Sequence, residues 1–565
     1  MAQDKSQIDS FDVSLGTAHS ESTPQKQLEK WNILVCSDLG YVSQKPVQVR
    51  IPEWNEFMAS QNIVLSGTIK EGLPEAKKPL YVEIPVKSMK DLSTESIAAN
   101  ARPFAAFSRT VFALQQLLDG KTNTTDAMAM IQKAGLPQAE EARAIKLFAR
   151  RPAAPHAKPA ARPQKSSVDN ILSMVDGTSS SGDPLPPDSL SATCGSSHNV
   201  TVALFKSVVD SGEDLLDKKA ASAYVHECQT RVHDMVDGLN KQPFFASRKA
   251  SWNCFLALAK AIGRKKEVGL NVVSAPMQDM EDRLLQVLAS CMENSAAPDI
   301  IIWDYDISFS NAHMDTLARV AKAADQYKCM AIAPLSMDDP LMDGISERNS
   351  ISHIFDEVRF LPFKKLRTDP SSRCQCLCGP RCAQGDQSTA PGGGCCWFIA
   401  TRWTEMLLGE GNPFSAKDSR LPVESAFSRD GLFVSDIAPS VAQEAATAGL
   451  TLFGPSLGQA QLDKAVSVIS NEQAAESYSS FLFNLAVNRA VRCVGIRISA
   501  EGSQKSRAEV ASVIERLLRT ELYAYGLITS NGQLTAIVGD DNKIVVDVNS
   551  DVTISGHPVR FTFSF

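Results

Sequence analysis

Six cysteines fall within residues 374–396, at Cys374, Cys376, Cys378, Cys382, Cys395 and Cys396. Thiolates supply the soft shell that zinc and iron–sulfur centres prefer, so this density invites a metal reading. The spacing is C-x-C-x-C-x3-C-x12-C-C and lacks the C-x2-C knuckles with which structural zinc sites aim two sulfurs at one point. Alternation at Cys374, Cys376 and Cys378 instead predicts three side chains on one face of a strand, as small buried hydrophobes. A second candidate is the pair Asp304 and Asp306 closing an apolar run, IIWDYDISF (301–309), with His313 and Asp315 nearby. A D-x-D in that place can chelate a divalent metal and nucleotide-sugar phosphates; its other reading is two acids capping a strand end and the next helix. No phosphate loop ending in Lys-Ser or Lys-Thr, no G-x-S-x-G elbow and no H-E-x-x-H is present. Arg264, Lys265 and Lys266 read as a solvated helix end.

Composition narrows the classes. The chain has 565 residues, 57 basic and 64 acidic side chains and a formal charge of −7. That balance argues against nucleic acid as the main partner, because phosphate neutralisation needs concentrated Lys and Arg. Thirteen cysteines, with a polar start MAQDKSQIDS, read as reduced thiols in a cytosolic protein. No apolar run approaches a membrane span.

The elements that must position these residues are α/β in pattern. Residues 149–165 (ARRPAAPHAKPAARPQK) carry prolines at 152, 155, 159 and 163, which reads as an extended tether. A second Ser/Gly/Pro-rich stretch covers 177–198. Between them, Val168, Ile171, Leu172 and Val175 share one face of a short helix. Before the tether, strands are expected over 33–36, 47–51 and 81–86, a helix over 52–60, and a helix capped by Ser93. After it, strands over 269–274, 299–303 and 329–333 alternate with helices, an order that predicts parallel pairing. The far end predicts a helix over 509–522 and strands over 534–538, 543–548 and 559–565. In the last strand Val559, Phe561, Phe563 and Phe565 alternate with polar residues, as Phe11, Val13 and Leu15 do near the start. Terminal strands with one greasy face need a sheet to join, in their own chain or a neighbour's.

Several of these segments together resemble the contractile sheath proteins of bacterial type VI secretion systems. NILVCSDLG (32–40), IPEWNEFMAS (51–60) and YVEIPVKSMKDLSTESIAAN (81–100) are similar to elements of the small subunit, TssB or VipA. SSVDNILSMV (166–175), NKQPFFASRKASWNCFLALA (240–259), IIWDYDISF and AIAPLS (331–336) are similar to elements of the large subunit, TssC or VipB. The resemblance divides the chain into a small-subunit region (1–148), a tether with its helix (149–198), a large-subunit N-terminal region (199–430) and a C-terminal region ending in sheath strands (431–565). The two subunits are ordinarily separate chains, so this reads as a fused form.

The resemblance implies a mixed α/β, phage-tail-sheath-like fold and a structural, non-enzymatic subunit in the bacterial cytoplasm. It would assemble helically with copies of itself around an inner tube protein, on a baseplate, with no cofactor, metal, nucleic acid or membrane insertion. Phe11, Val13 and Leu15 at one end and Val559, Phe561, Phe563 and Phe565 at the other would carry strand exchange between subunits. Val168, Ile171, Leu172 and Val175 match the helix that a ClpV-like ring ATPase grips. Two other readings stand beside it: a metal-dependent enzyme using Asp304, Asp306 and the 374–396 cysteines, or a sheath-like baseplate or regulatory homologue.

Overall fold

A computed structural model of the chain describes residues 10–12, 30–69, 80–101, 104–148, 218–294, 296–336, 351–379, 394–410, 438–452, 465–470, 476–501, 506–539, 543–554 and 556–564, with 414, 420–422, 428–429, 432–433 and 459–461 between them. They belong to two compact units, one within 98–235 and one formed from 1–97 with 236–565.

Described strands are, in chain order, β1 (Ser10–Asp12), β2 (Trp31–Ser37), β3 (Val47–Gln48), β4 (Ile63–Ile69), β5 (Leu80–Val86), β6 (Val268–Ser274), β7 (Ile300–Asp304), β8 (Met330–Pro334) and β9 (Gln375–Gly379). After these come β10 (Arg420–Pro422), β11 (Ser428–Arg429), β12 (Leu432–Phe433), β13 (Leu450–Leu452), β14 (Gln459–Gln461), β15 (Gln533–Val538), β16 (Ile544–Ile554) and β17 (His557–Ser564). The α-helices begin with α1 (Trp54–Ser60), α2 (Thr94–Asn100), α3 (Phe104–Leu118), α4 (Thr124–Ala134), α5 (Gln138–Lys146), α6 (Lys218–Asn240) and α7 (Pro243–Ile262). They continue with α8 (Met277–Glu293), α9 (Asn311–Gln326), α10 (Leu361–Arg367), α11 (Cys395–Glu410), α12 (Pro439–Thr447), α13 (Phe481–Glu501) and α14 (Arg507–Ala524).

The larger unit is organised on a seven-stranded sheet in the order β13-β9-β8-β7-β2-β6-β3. All neighbours pair in parallel except β3, which runs antiparallel to β6. Helices cover parallel strands on both faces, so such strands read as unbroken apolar runs rather than alternation. WNILVCS, VGLNVVS, MAIAP and QCLCG are buried along their whole length. The expected α/β alternation after the tether is therefore present. One of its interior strands, however, comes from before the tether: β2 lies between β6 and β7, with Val35 opposite Val272 on one side and Ile302 on the other.

The N-terminal ends of β2 and β7 are closed by charge. Asp299 is fully buried and takes Arg489 Nη1 at 2.9 Å, the Arg492 guanidinium in direct contact, and the Asn32 N–H at 2.8 Å. Arg489 also lies 4.4 Å above the Trp31 ring. Buried charges cost several kcal/mol each unless paired and hydrogen-bonded, so this group fixes α13 against the strand ends.

A second sheet has the order β1-β17-β16-β15. β16 and β17 form a hairpin whose turn uses Gly556 at φ +84, a conformation only glycine adopts without strain. Ile544, Val546 and Val548 on β16 and Val559, Phe561 and Phe563 on β17 are all buried, with α13 and α14 packed nearby. A capping box joins Ser506 and Glu509 at the start of α14. β1 runs parallel to β17, pairing Phe11 with Phe563.

In the smaller unit, Phe107, Val111 and Leu114 of α3 form a buried stripe and Leu118 is half-buried. Asn123 caps α4 and Gly135 ends it at φ +78. Arg143 meets Glu227 at 2.6 Å and Arg231 meets Glu140 at 2.7 Å, tying α5 to α6.

Two differences from expectation lie at element ends. The strand expected over 47–51 stops at Gln48, because Pro52 opens a 3-10 turn over Ile51–Glu53 that leads into α1. Asp299 precedes β7 rather than starting it, since its carboxylate is held by the two arginines. Among the described residues no helix is long and apolar enough to cross a membrane.

Candidate functional site

In this strand order the chain leaves β2 toward β6 on one side and returns to β7 on the other. Crevices at such reversals, beyond the carboxyl ends of the strands, are the usual ligand sites of open α/β sheets. Here the chain's own side chains occupy the place. Ser37, the last residue of β2, donates its hydroxyl to Asp304 Oδ2 at 2.8 Å, and Asp304 is the last residue of β7. The Ser251 hydroxyl of α7 bonds the same oxygen, and Cys396 Sγ at the start of α11 lies 4.0 Å from Oδ1. One turn earlier on α7, Arg248 pairs with Asp38 at 2.7 Å. Trp252 Nε1–H donates to the Leu39 carbonyl at 3.1 Å, and its buried ring packs among Tyr41, Trp54, Phe57 and Phe255.

This clasp joins segments that the sequence keeps far apart. Ser37, Asp38 and Leu39 belong to NILVCSDLG, Arg248, Ser251 and Trp252 to NKQPFFASRKASWN, and Asp304 to IIWDYDISF. Phe244 of the second segment lies against Gly67 of β4, where a Cβ would come within 2.3 Å of the ring. The three stretches therefore meet at one end of the sheet, and they come from both sides of the tether. A carboxylate that accepts two hydroxyls, one of them a turn along α7 from the Arg248–Asp38 ion pair, acts as a structural anchor; hydrogen bonds to a charged group each contribute about 1.5–3 kcal/mol.

The metal-binding candidates are placed as follows. Asp304 is half-buried in the clasp, whereas Asp306 is exposed. His313 Nδ1 accepts the Ser308 N–H at 2.9 Å at the start of α9, a local capping role. Cys376 and Cys378 lie on β9 and share a face, both buried. Cys374 does not extend that row, because the strand begins one residue later. It closes the 3-10 turn Pro370–Cys374 and faces Asn488 Nδ2 at 3.3 Å and Asp325 at 3.8 Å. Cys395 and Cys396 open α11 and are buried; Cys382 lies outside the described residues. Burial pushes the Cys374 thiol up to about 11 and raises Cys378 well above the ordinary range, with Cys376, Cys395 and Cys396 adding to the latter. Protonated, apolar-packed thiols are poor nucleophiles. Among the described residues no three His, Cys, Asp or Glu side chains are grouped to hold a metal ion.

The terminal strands meet each other. Val559, Phe561 and Phe563 face the core of the second sheet, with the Phe561 and Phe563 rings stacked at 5.9 Å. Phe11 belongs to β1 on that sheet's edge, while Val13, Leu15 and Phe565 lie outside the described residues. So do Val168, Ile171, Leu172 and Val175. Ser37 and Arg248 escaped the sequence reading, as did the Asp299–Arg489–Arg492 group, and Ser251 entered it only as part of the resemblance to the large subunit. The only signal in the sequence was a polar residue closing each apolar strand, a pattern that many strand ends share.

No family model matches the chain, and no curated protein matches it.

Proposed function

We propose that this chain is a structural subunit of a contractile sheath of the type VI secretion, phage-tail-like kind, with a TssB-like and a TssC-like region joined in one polypeptide. The observation that carries this reading is the insertion of β2 between β6 and β7, locked by the Ser37–Ser251–Asp304 clasp. Two sequence regions that resemble partner subunits contribute to one sheet, as expected of subunits that fold together. The residues meeting in the clasp belong to the stretches on which the resemblance rests.

A sheath subunit works by keeping its neighbours while the lattice shortens, and backbone pairing at sheet edges suits that task. β1 is a three-residue strand at the edge of the second sheet, held through β17. A neighbour's β1 can take the same register with the same hydrogen bonds, so exchange between copies replaces one set of backbone bonds by an equal one. Each copy then offers an edge to the next, a heterologous contact that builds a helix. In this reading the inner tube, a baseplate and a ClpV-like ATPase acting on 166–175 are the partners.

Electron microscopy of the purified chain tests the proposal, with tubes or helical rings as the expected result. Removing residues 1–12 deletes β1 but leaves the β15–β17 core intact, and is expected to give folded, unassembled protomers. Unchanged tubes from that variant would refute strand exchange, and only monodisperse protomers from the full chain under all salt conditions would refute self-assembly.

A further inference from the structure

Where β3 leaves β6 at the edge of the seven-stranded sheet there is a depression of about 440 Å³. Three stretches of chain bring cations to its rim: Lys30 ahead of β2, Arg50 after β3, and Arg264, Lys265 and Lys266 between α7 and β6. The last three follow Gly263 at φ +62, which turns the chain sharply off the helix. The floor is apolar: Val49, Ile262 and Leu270 are all buried.

A basic run after a helix ordinarily compensates the negative helix C-terminus. That account covers Arg264, Lys265 and Lys266. It does not cover Lys30 and Arg50, which stand on other elements. The chain has more acids than bases, yet none of these five cations forms an ion pair among the described residues. Among the described residues Arg50 reaches only the neutral Gln48 amide, at 3.4 Å. Glu53 also lines the depression and pairs with none of them. Gathered like charges repel and gain from a bound anion. A cavity of this size with an apolar floor and convergent polar groups is in the range of small-ligand sites.

We propose that this depression binds a small organic polyphosphate, its phosphates on the five rim cations and an apolar or aromatic ring on the Val49–Ile262–Leu270 floor. The proposal is independent of the sheath reading, and either can fail alone.

Titration calorimetry of the full chain with ATP as probe tests it, alongside pyrophosphate and poly-L-glutamate. Expected are one ATP per chain, pyrophosphate weaker by about tenfold or more for want of the ring, and a loss of at least about tenfold in the double variant Arg264→Glu/Lys265→Glu. In the unmodified chain, ATP should also protect Lys30, Lys265 and Lys266 from amine acetylation while leaving the exposed Lys322 reactive, which keeps the test valid if the variant misfolds. No binding of ATP at about 1 mM would overturn the proposal. So would equal affinity for pyrophosphate, equal affinity in the variant, or binding of poly-L-glutamate with none of ATP, which would point to an acidic protein surface instead.

Discussion

At the scale of single residues, the described cysteines of the 374–396 cluster, Cys374, Cys376, Cys378, Cys395 and Cys396, are all buried. Cys374 is fully buried and has its thiol pushed up to about 11 from an ordinary 9.0, chiefly by desolvation and partly countered by Arg373. Cys291 is pushed up to about 12 by the same cause. A group whose folded pKa exceeds its unfolded value stabilises the fold fully below the unfolded value, and that contribution is lost as pH climbs through the folded one. For Cys374 the window is therefore 9.0 to about 11, and the loss is about 2–3 kcal/mol. Urea unfolding near pH 8 and near pH 10.5 should reveal stability falling over this interval, and Cys374→Ser should flatten the slope by one thiol's share. An identical slope in that variant would mean that Cys374 is not sheltered from water. The residue types at 374–396 were legible; their burial was not, because burial depends on what strands β8 and β13 bring to either side of β9.

At the scale of elements, periodicity spoke clearly where one face of a strand meets water. β17 alternates in the fold as it does in the sequence, with Val559, Phe561 and Phe563 buried and Arg560 exposed. Phe563→Ala should therefore destabilise by about 3–5 kcal/mol, whereas Arg560→Ala should stay within about 0.5 kcal/mol. Thermal melts of the two variants decide this, and comparable losses would place β17 in a different register. The helix expected over 509–522 was equally legible from its apolar face, and the fold extends it to 507–524 behind the Ser506 cap. α13 was not, because a helix buried on nearly all sides has no polar face to set its period. β9 was legible only through its cysteines, and β13 is too short to stand out. The neighbours of β2 could not be read at all. An all-apolar strand signals that it lies inside a sheet but not which strands flank it, and here both neighbours are more than two hundred residues away.

At the scale of the whole molecule, the proline-rich stretch separates sequence regions whose described strands are not separate bodies. The unit formed from 1–97 and 236–565 takes the interior strand β2 from one side of that stretch and its neighbours β6 and β7 from the other. Removing β2 would expose two strand edges and uncap Asp304, whose partner Ser37 comes with β2. It would also take away Asn32, a partner of the buried Asp299. Residues 151–565 made alone should consequently lack a cooperative melt, as should residues 1–150. Made together as two chains cut between Arg150 and Arg151, they should reassemble with an affinity tighter than about 1 µM, since the cut removes only covalent continuity and the effective concentration it confers. Asp304→Ala in the longer piece strands the Ser37 and Ser251 hydroxyls and should weaken that association by at least about tenfold, equivalent to about 1.5–3 kcal/mol for hydrogen bonds to a charge. Co-purification of the two pieces and calorimetric melts measure both expectations. A longer piece that melts alone like the intact chain would show β2 to be dispensable. It would also remove the structural ground for treating the two regions as partner subunits in one polypeptide.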